Sequence, residues 1–379
     1  MASPSPPPPE LSEALQASIK EYIAATLESS KKRPAEADST EPPPLDQPET
    51  AKTARSYGRI YGRQDDPFTS IDTVVNFGIK YEIADEGEES NDERPTLSIR
   101  DERLLHSWKL LCSIVPGFRR KMLALSDQRA ARRTACQEIN DGLTTVRSDD
   151  TGSLKFAISA YLLADPNEPR VLIKSKLKTD RGFHNPVTAS LLCPLKYPSM
   201  QNTYDDIKAG KLPVTATMLP RFLFPADHVY DPTDISKNLL RGHLMLRVAK
   251  HIFQGPSAAL EEPGSHRGKQ GNAAICGITS MSPYTIAYVA TQVRFALSST
   301  SSWTPRDGTF SYAEFYWHIV NLLNDDDEPE VAEIIGLFNY HVFGTENPLS
   351  TPSVAAVEAE DEYELIKRQR AAKRARSSQ

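Results

Sequence analysis

The sequence predicts a mainly α-helical protein: a single helical-bundle-like domain with an irregular, proline-punctuated middle, flanked by disordered tails. Three observations carry that prediction. Apolar residues recur with the 3.6-residue helical period over several long segments. The 29 prolines are unevenly spread, with ten of them before residue 55 and nine between 165 and 234, where they interrupt the chain too often for long helices. Of the 379 residues, 39% are hydrophobic, enough for a substantial core.

The elements follow in chain order. Residues 1–65 read as a disordered leader holding one short amphipathic helix at 10–27, where Leu11, Leu15, Ile19, Ile23 and Leu27 recur every fourth position. That stripe reads as a transient helix in a tail or as a helix that docks a protein partner. The Pro/Glu/Thr/Ser stretch after it cannot bury enough apolar surface to fold. The helical domain is expected over 66–344, beginning near Asp66-Pro67-Phe68. Its first helix spans Ser70 to Glu82, and an acidic loop, Asp85 to Glu93, follows. Leu104, Leu105, Trp108, Leu111, Cys112 and Val115 mark a helix over Asp101 to Val115, which Pro116-Gly117 interrupts. Two further helices are expected over Ser126 to Val146 and Gly152 to Leu163.

In the proline-rich middle one strand candidate stands out: Val171, Ile173, Ser175 and Leu177 alternate with Arg170, Lys174, Lys176 and Lys178. A seventy-residue stretch without structure is improbable inside a compact domain, so short helices, a small hairpin or a packed extended segment are expected there. Helices resume over Ile235 to Phe253, Pro283 to Ser298, Ser311 to Asn324 and Pro329 to Phe343. Ser311 and Glu314 have the spacing of a capping box. Pro329, after the acidic run Asp325 to Glu328, suits a first helical turn. The segment 283–298 is apolar nearly all round, which places it at the centre of the bundle. The remaining residues, 345–379, read as a disordered basic tail.

Charge narrows the functional classes. A net charge of −6 excludes a globally basic nucleic-acid binder but leaves room for local basic patches. No run reaches the roughly 18 apolar residues of a membrane helix, and the N-terminus lacks the basic and apolar regions of a signal peptide. The four cysteines, Cys112, Cys136, Cys193 and Cys276, lie far apart, as in a reducing compartment.

Several constellations could carry function. Arg119, Arg120, Lys121, Arg129, Arg132 and Arg133 lie within fifteen residues, with Asp127 the only acid among them. They read as a patch that follows a phosphate backbone, or as a solvated face balanced by the acidic insert at 85–93. Lys31, Lys32 and Arg33 near one end, with Lys367, Arg368, Arg370, Lys373, Arg374 and Arg376 at the other, read as nuclear import segments or a solubilising tail. The loop Gly264-Ser-His-Arg-Gly268-Lys269-Gln-Gly271 lacks P-loop spacing, yet Arg267 and Lys269 could contact an anion. Arg294 sits in an apolar helix and cannot lose its proton, so it is expected to pair with an acid such as Glu314 or Glu333, or else to meet an anion. No metal-ligand spacing occurs: His243 and His251 stand eight residues apart on one helix, too far to chelate one ion directly. No nucleophile elbow occurs either, and no cofactor is implied.

The stretches Arg241-Gly-His-Leu-Met-Leu through Phe253-Gln-Gly-Pro-Ser257, Gly271-Asn-Ala-Ala-Ile-Cys-Gly277 and Ala287-Tyr-Val-Ala-Thr-Gln-Val-Arg-Phe-Ala-Leu-Ser-Ser299 carry a family likeness. The Asp66-Pro-Phe68 start and the ending from Phe315-Tyr316 to Phe343 share it. The chain resembles an uncharacterised domain-of-unknown-function family abundant in mushroom-forming fungi, over about 66–344. The resemblance implies an intracellular fungal protein from a multiplied gene family with a link to mobile elements. It brings no activity, cofactor or catalytic residue.

Together these features predict a non-enzymatic, nuclear protein that binds macromolecules, with nucleic acid or chromatin the favoured partner. A protein–protein scaffold docking through residues 10–27 is the alternative function, and the cytoplasm is the alternative location. A metal-dependent enzyme derived from a mobile element is the second alternative, and neither sequence pattern nor composition defines an oligomeric state.

Overall fold

The first structured element lies inside what reads as leader. Thr53 caps a helix, α1 (Ala54–Gln64), by accepting the Ser56 N–H at 3.2 Å. The chain was described from a computed structural model, which describes residues 52–87, 97–165, 168, 173–174, 177–263, 271–324 and 328–346. Every described element belongs to one unit that begins at Lys52, ahead of the start expected at 66. The reason is a close helix crossing. A Cβ on Gly58 would stand 2.0 Å from Ile139 O, and one on Gly142 would stand 2.1 Å from Arg55 O. Two glycines facing each other let α1 lie directly on α5 (Arg129–Ala157). Small residues rather than large apolar ones make this contact, so no hydrophobic stripe announces it.

Between these two helices come α2 (Ile71–Gly87), α3 (Ile99–Ile114) and α4 (Phe118–Ala124). They enclose a first core in which Trp108, Leu111, Val74, Val75, Met122 and Leu143 are buried. The sequence divides α5 into two helices, whereas the structure has one helix of 29 residues. Asp150, in the gap between the two expected helices, is buried and held by Arg63, and the helix runs through it. Its N-terminal half supplies Ile139 and Leu143 to the first core, and Leu154 near its C-terminal end belongs to a second, larger one.

That second core is built around α10 (Pro283–Leu297), with α6 (Pro186–Leu192), α7 (Gln201–Lys208), α8 (His243–Phe253) and α9 (Asn272–Cys276) preceding it. Every residue from Thr285 to Leu297 is buried, as the apolar run requires. Ser282 and Thr285 form a reciprocal capping box at its start. A two-stranded hairpin, β1 (Arg306–Asp307) with β2 (Phe310–Ser311), then leads into α11 (Tyr312–Leu323) and α12 (Pro329–Phe343). Ser311 accepts the Glu314 N–H at 3.3 Å. Among the described residues the architecture is thus mainly helical, twelve α-helices with one small hairpin.

The middle segment departs from expectation in three places. Of 171–178 the structure describes Ile173, Lys174, Leu177 and Lys178, none in a strand. The alternation is inverted there: Leu177 is 56% exposed and Lys178 only 2%. The hairpin lies at 306–311 instead. Finally, α8 starts at His243, not Ile235, because Asn238 and Leu240 both take φ of 61°, which no α-helix tolerates.

The irregular backbone of the middle is held by arginines. Arg221 donates to Leu195 O and Tyr197 O at 3.1 and 2.7 Å, and Arg247 donates to the carbonyls of Tyr161, Leu163 and Ala164. Carbonyls outside regular structure lack ladder partners, and a guanidinium with five donors can satisfy several at once.

Candidate functional site

The basic face expected from the sequence is built by α4 and the start of α5. Gly117, at φ 67°, turns the chain out of α3, and Phe118 and Met122 anchor α4 in the first core. Anchoring at i and i+4 leaves Arg119, Arg120 and Lys121 on the outer side. On α5, Cys136 and Ile139 point inward while Arg129 and Arg133, one turn apart, point outward. Arg120, Lys121, Arg129 and Arg133 are all exposed, and among the described residues none forms an ion pair. Arg129 and Arg133 flank a shallow groove with Thr134 and Gln137. No side chain caps the N-terminus of α5. Cations at that positive helix end repel its dipole and are left available to an anion.

The other two members of the cluster are engaged. Arg119 forms a two-pronged pair with Glu82, at 3.0 and 2.5 Å, and Glu82 also accepts the Trp108 indole N–H. The hydrogen bonds from Arg119 hold the Glu82 carboxyl below its usual range. Arg132 donates to Leu125 O, Ser126 O and Asn76 Oδ1, pinning the α4–α5 turn to α2. The six-residue patch therefore reduces to four residues.

Other expected sites divide in the same way. Arg267 and Lys269, the import segments Lys31, Lys32, Arg33 and Lys367 to Arg376, the helix at 10–27 and most of the acidic insert lie outside the described residues. Arg294 is buried and paired, but its acid is Asp307 at 3.3 Å, not Glu314 or Glu333. Glu314 stands 3.8 Å from Arg306, and Glu333 pairs with Arg241 at 2.6 Å. The hairpin brings Asp307 across the end of α10, a placement that helical periodicity could not reveal. His243 and His251 face different neighbours, Leu162 O for the first and Ser153 with Tyr161 for the second.

The sequence reading missed the buried polar groups. Arg63 grips Asp150 with two hydrogen bonds, 2.9 and 2.7 Å, and the Tyr288 hydroxyl donates to the same carboxylate at 2.8 Å. Asp65 is fully buried, and neither carboxylate oxygen has a hydrogen-bond partner. Burial pushes its carboxyl up to about 7. Ser153 Oγ stands 2.8 Å from His251 Nε2, which superficially suggests a nucleophile and its base. Burial lowers that imidazole to about 4, leaving it a poor proton acceptor at neutral pH, and Nδ1 contacts the Tyr161 hydroxyl rather than a carboxylate. This contact ties α5 to α8. Among the described residues no three His, Cys, Asp or Glu side chains gather as a metal-ligand set, and no helix is long and apolar enough to cross a membrane.

A second cationic region surrounds the C-terminal end of α10. Lys178 Nζ donates to Phe295 O at 2.5 Å and lies 3.6 Å from the centre of the Phe295 ring. Arg181 donates to Ala296 O, Lys155 O and Lys174 O. Both satisfy carbonyls at the negative end of a buried helix. Burial, with Arg181 beside it, pushes the Lys178 ammonium down to about 7. Next to them Arg294 lines a cavity of about 460 Å3 between α6, α7, the end of α10 and the hairpin.

Residues 141–343 match a family of unknown function, DUF6698, and because that is more than half of the chain, the protein belongs to this family. The match starts inside α5 and is shorter at its N-terminal side than the expected 66–344. The motifs at 241–257, 271–277 and 287–299 all fall within it. No curated protein and no solved structure matches the chain.

Proposed function

We propose that the protein binds nucleic acid, without catalysis, through the face formed by Arg120, Lys121, Arg129 and Arg133. One observation carries this reading: these four cations are exposed and have no ion-pair partner among the described residues, although the chain as a whole is acidic. An uncompensated cluster attracts a polyanion by releasing its condensed counterions, so binding falls steeply with salt. The contacts assigned to these cations are to phosphates, which fix position along a backbone and carry no sequence information themselves. Import into the nucleus, carried by Lys31, Lys32 and Arg33 and by the cluster from Lys367 to Arg376, belongs to the same proposal and makes chromatin the natural setting.

A mobility-shift titration of the full chain on duplex DNA and on RNA, over a range of salt, tests it. Retardation is expected at about 50 mM salt and should weaken strongly by about 200 mM. Reversing two charges, Arg129→Glu with Arg133→Glu, should lower affinity and reduce the slope of log K against log salt by about 2. No retardation at low salt by the folded full chain ends the reading. Retention of a protein partner instead, lost on deleting residues 10–27, would favour the scaffold alternative.

A further inference from the structure

The cations that this protein withdraws from water are met by oxygen atoms, Arg63 by the Asp150 carboxylate and the buried or half-buried others by carbonyls, and Arg294 stands apart from them. Arg147, Arg181, Arg221 and Arg247 each direct terminal nitrogens at backbone carbonyls. Of their fully buried nitrogens Arg147, Arg181 and Arg221 leave only Nε without an acceptor, whereas Arg294 leaves both Nε and Nη1. Among the described residues the acid beside it is Asp307, 3.3 Å from Nη1 without a hydrogen bond and itself partly exposed at the end of β1. Phe310 lies under the guanidinium, 4.3 Å from ring centre to Cζ, and fixes its plane. A guanidinium held rigid, 3% exposed and short of acceptors is a costly arrangement unless something supplies oxygen atoms.

The cavity beside it has the shape to do so. Its floor is buried: Arg294, Ser298, Leu192 and Val214. Its rim is exposed, formed by His184, Lys208, Gly308 and Thr309, so a solute can enter from water. Lys208 at that rim is held by Asp205 at 2.7 Å. Lys178 and Arg181 lie behind the floor, and the acids facing this group are Asp307 and Asp180. The lining mixes hydroxyls with apolar surface: Ser298, already donating to Phe295 O, Thr309, donating to Val214 O at 2.9 Å, and Ser299 stand with Ile207 and Val214. At about 460 Å3 the volume falls in the range of small-molecule sites.

We propose that this cavity binds a small phosphorylated molecule, its phosphate on Arg294 and its remaining part against the apolar lining. A planar guanidinium matches phosphate geometry better than any other side chain. Asp307 partly neutralises Arg294 in the unliganded protein and gives way when the stronger anion arrives. This site is separate from the α4–α5 face and does not depend on it.

Calorimetric titration of the full chain with inorganic phosphate, phenyl phosphate and phenol tests the proposal, in a background carrying Arg129→Glu and Arg133→Glu to remove surface anion contacts. Phenyl phosphate should bind saturably at one site, more tightly than inorganic phosphate, and phenol should bind about tenfold more weakly or not at all. Arg294→Gln should weaken phenyl phosphate binding about tenfold or more. Asp307→Asn, at the partly exposed end of β1, leaves the buried helix untouched and should bind phenyl phosphate severalfold more tightly, because a competing carboxylate is gone. Absence of saturable phenyl phosphate binding by the folded protein overturns the inference, and so does unchanged affinity in Asp307→Asn. If the charge-reversed background retains phenyl phosphate binding while nucleic acid fails to bind the wild-type chain, the cavity stands and the surface reading falls.

Discussion

On the α4–α5 face, Arg120, Lys121, Arg129 and Arg133 keep their charged heads in water; around the C-terminal end of α10, Lys178 and Arg181 give theirs to backbone carbonyls. The residue types are the same, and both groups are dense in the sequence. Their surroundings differ. The surface cations sit on outward helix faces, and the carbonyls of the nearby α4–α5 turn are taken by Arg132, so their charge is left to water. The buried ones meet a helix end and an irregular chain whose carbonyls have no ladder partners, and those carbonyls consume it. Cation density in a sequence therefore does not by itself identify a binding surface. What identifies one is the supply of unsatisfied oxygen near each cation. The two regions also fall differently within the family match: the α10 region lies inside 141–343, and the surface cluster precedes it.

Substitutions can sharpen that contrast, beginning where the effect is largest. Arg63→Met removes the buried partner of Asp150 and leaves a carboxylate with only the Tyr288 hydroxyl; thermal or chemical unfolding should show a loss of about 3–5 kcal/mol. A loss under about 1 kcal/mol would place the pair among ordinary surface bridges and weaken the distinction drawn above.

The pH dependence of an unpaired buried acid comes next. Asp65 has its folded pKa raised to about 7 by burial, so the folded state holds its proton more tightly than the unfolded chain. Its contribution to stability is fully present below the unfolded carboxyl range near 4 and is lost as pH rises through about 7, up to about 4 kcal/mol in all. His251 and His341, both pushed by burial down to about 4, act in the opposite sense and lose stability as pH falls below about 6.5. Comparing Asp65→Asn with the wild type isolates the acid. The variant should match the wild type near pH 4 and become progressively the more stable of the two up to about pH 7, with little change beyond. A constant difference across that range would show that Asp65 does not titrate as described.

The smallest effect belongs to the surface. Arg129→Ala with Arg133→Ala should change unfolding free energy by less than about 0.5 kcal/mol, with a small gain possible because two cations leave the positive end of α5. A substantial loss would mean that these arginines hold the fold together, as Arg132 does.

The helices legible in the sequence are those with large apolar residues at the helical period: α3, α10, α11 and α12 stand close to where Trp108, the run from Thr285 to Leu297, Phe315 with Ile319, and Ile334 with Phe338 place them. Helix α1 was not legible, because its packing rests on Gly58 against Gly142, a contact made by the absence of side chains. The surface part of the candidate site was legible as a charge run, yet Arg119 and Arg132 could be removed from it only once Glu82, Asn76 and the carbonyls of Leu125 and Ser126 had positions. The cavity was not legible at all, since its lining comes from four separate stretches of chain, and Lys178 behind its floor reads as the solvent side of a strand.

From its sequence alone this protein was bound to be mainly helical, with a buried central helix at about 283–298 and a proline-broken middle, because side-chain periodicity and backbone restriction act locally. Which cations face water and which face carbonyls was decided only in three dimensions. A guanidinium or ammonium on a long flexible stem can satisfy its charge either way, and the choice depends on oxygen atoms contributed by residues far along the chain.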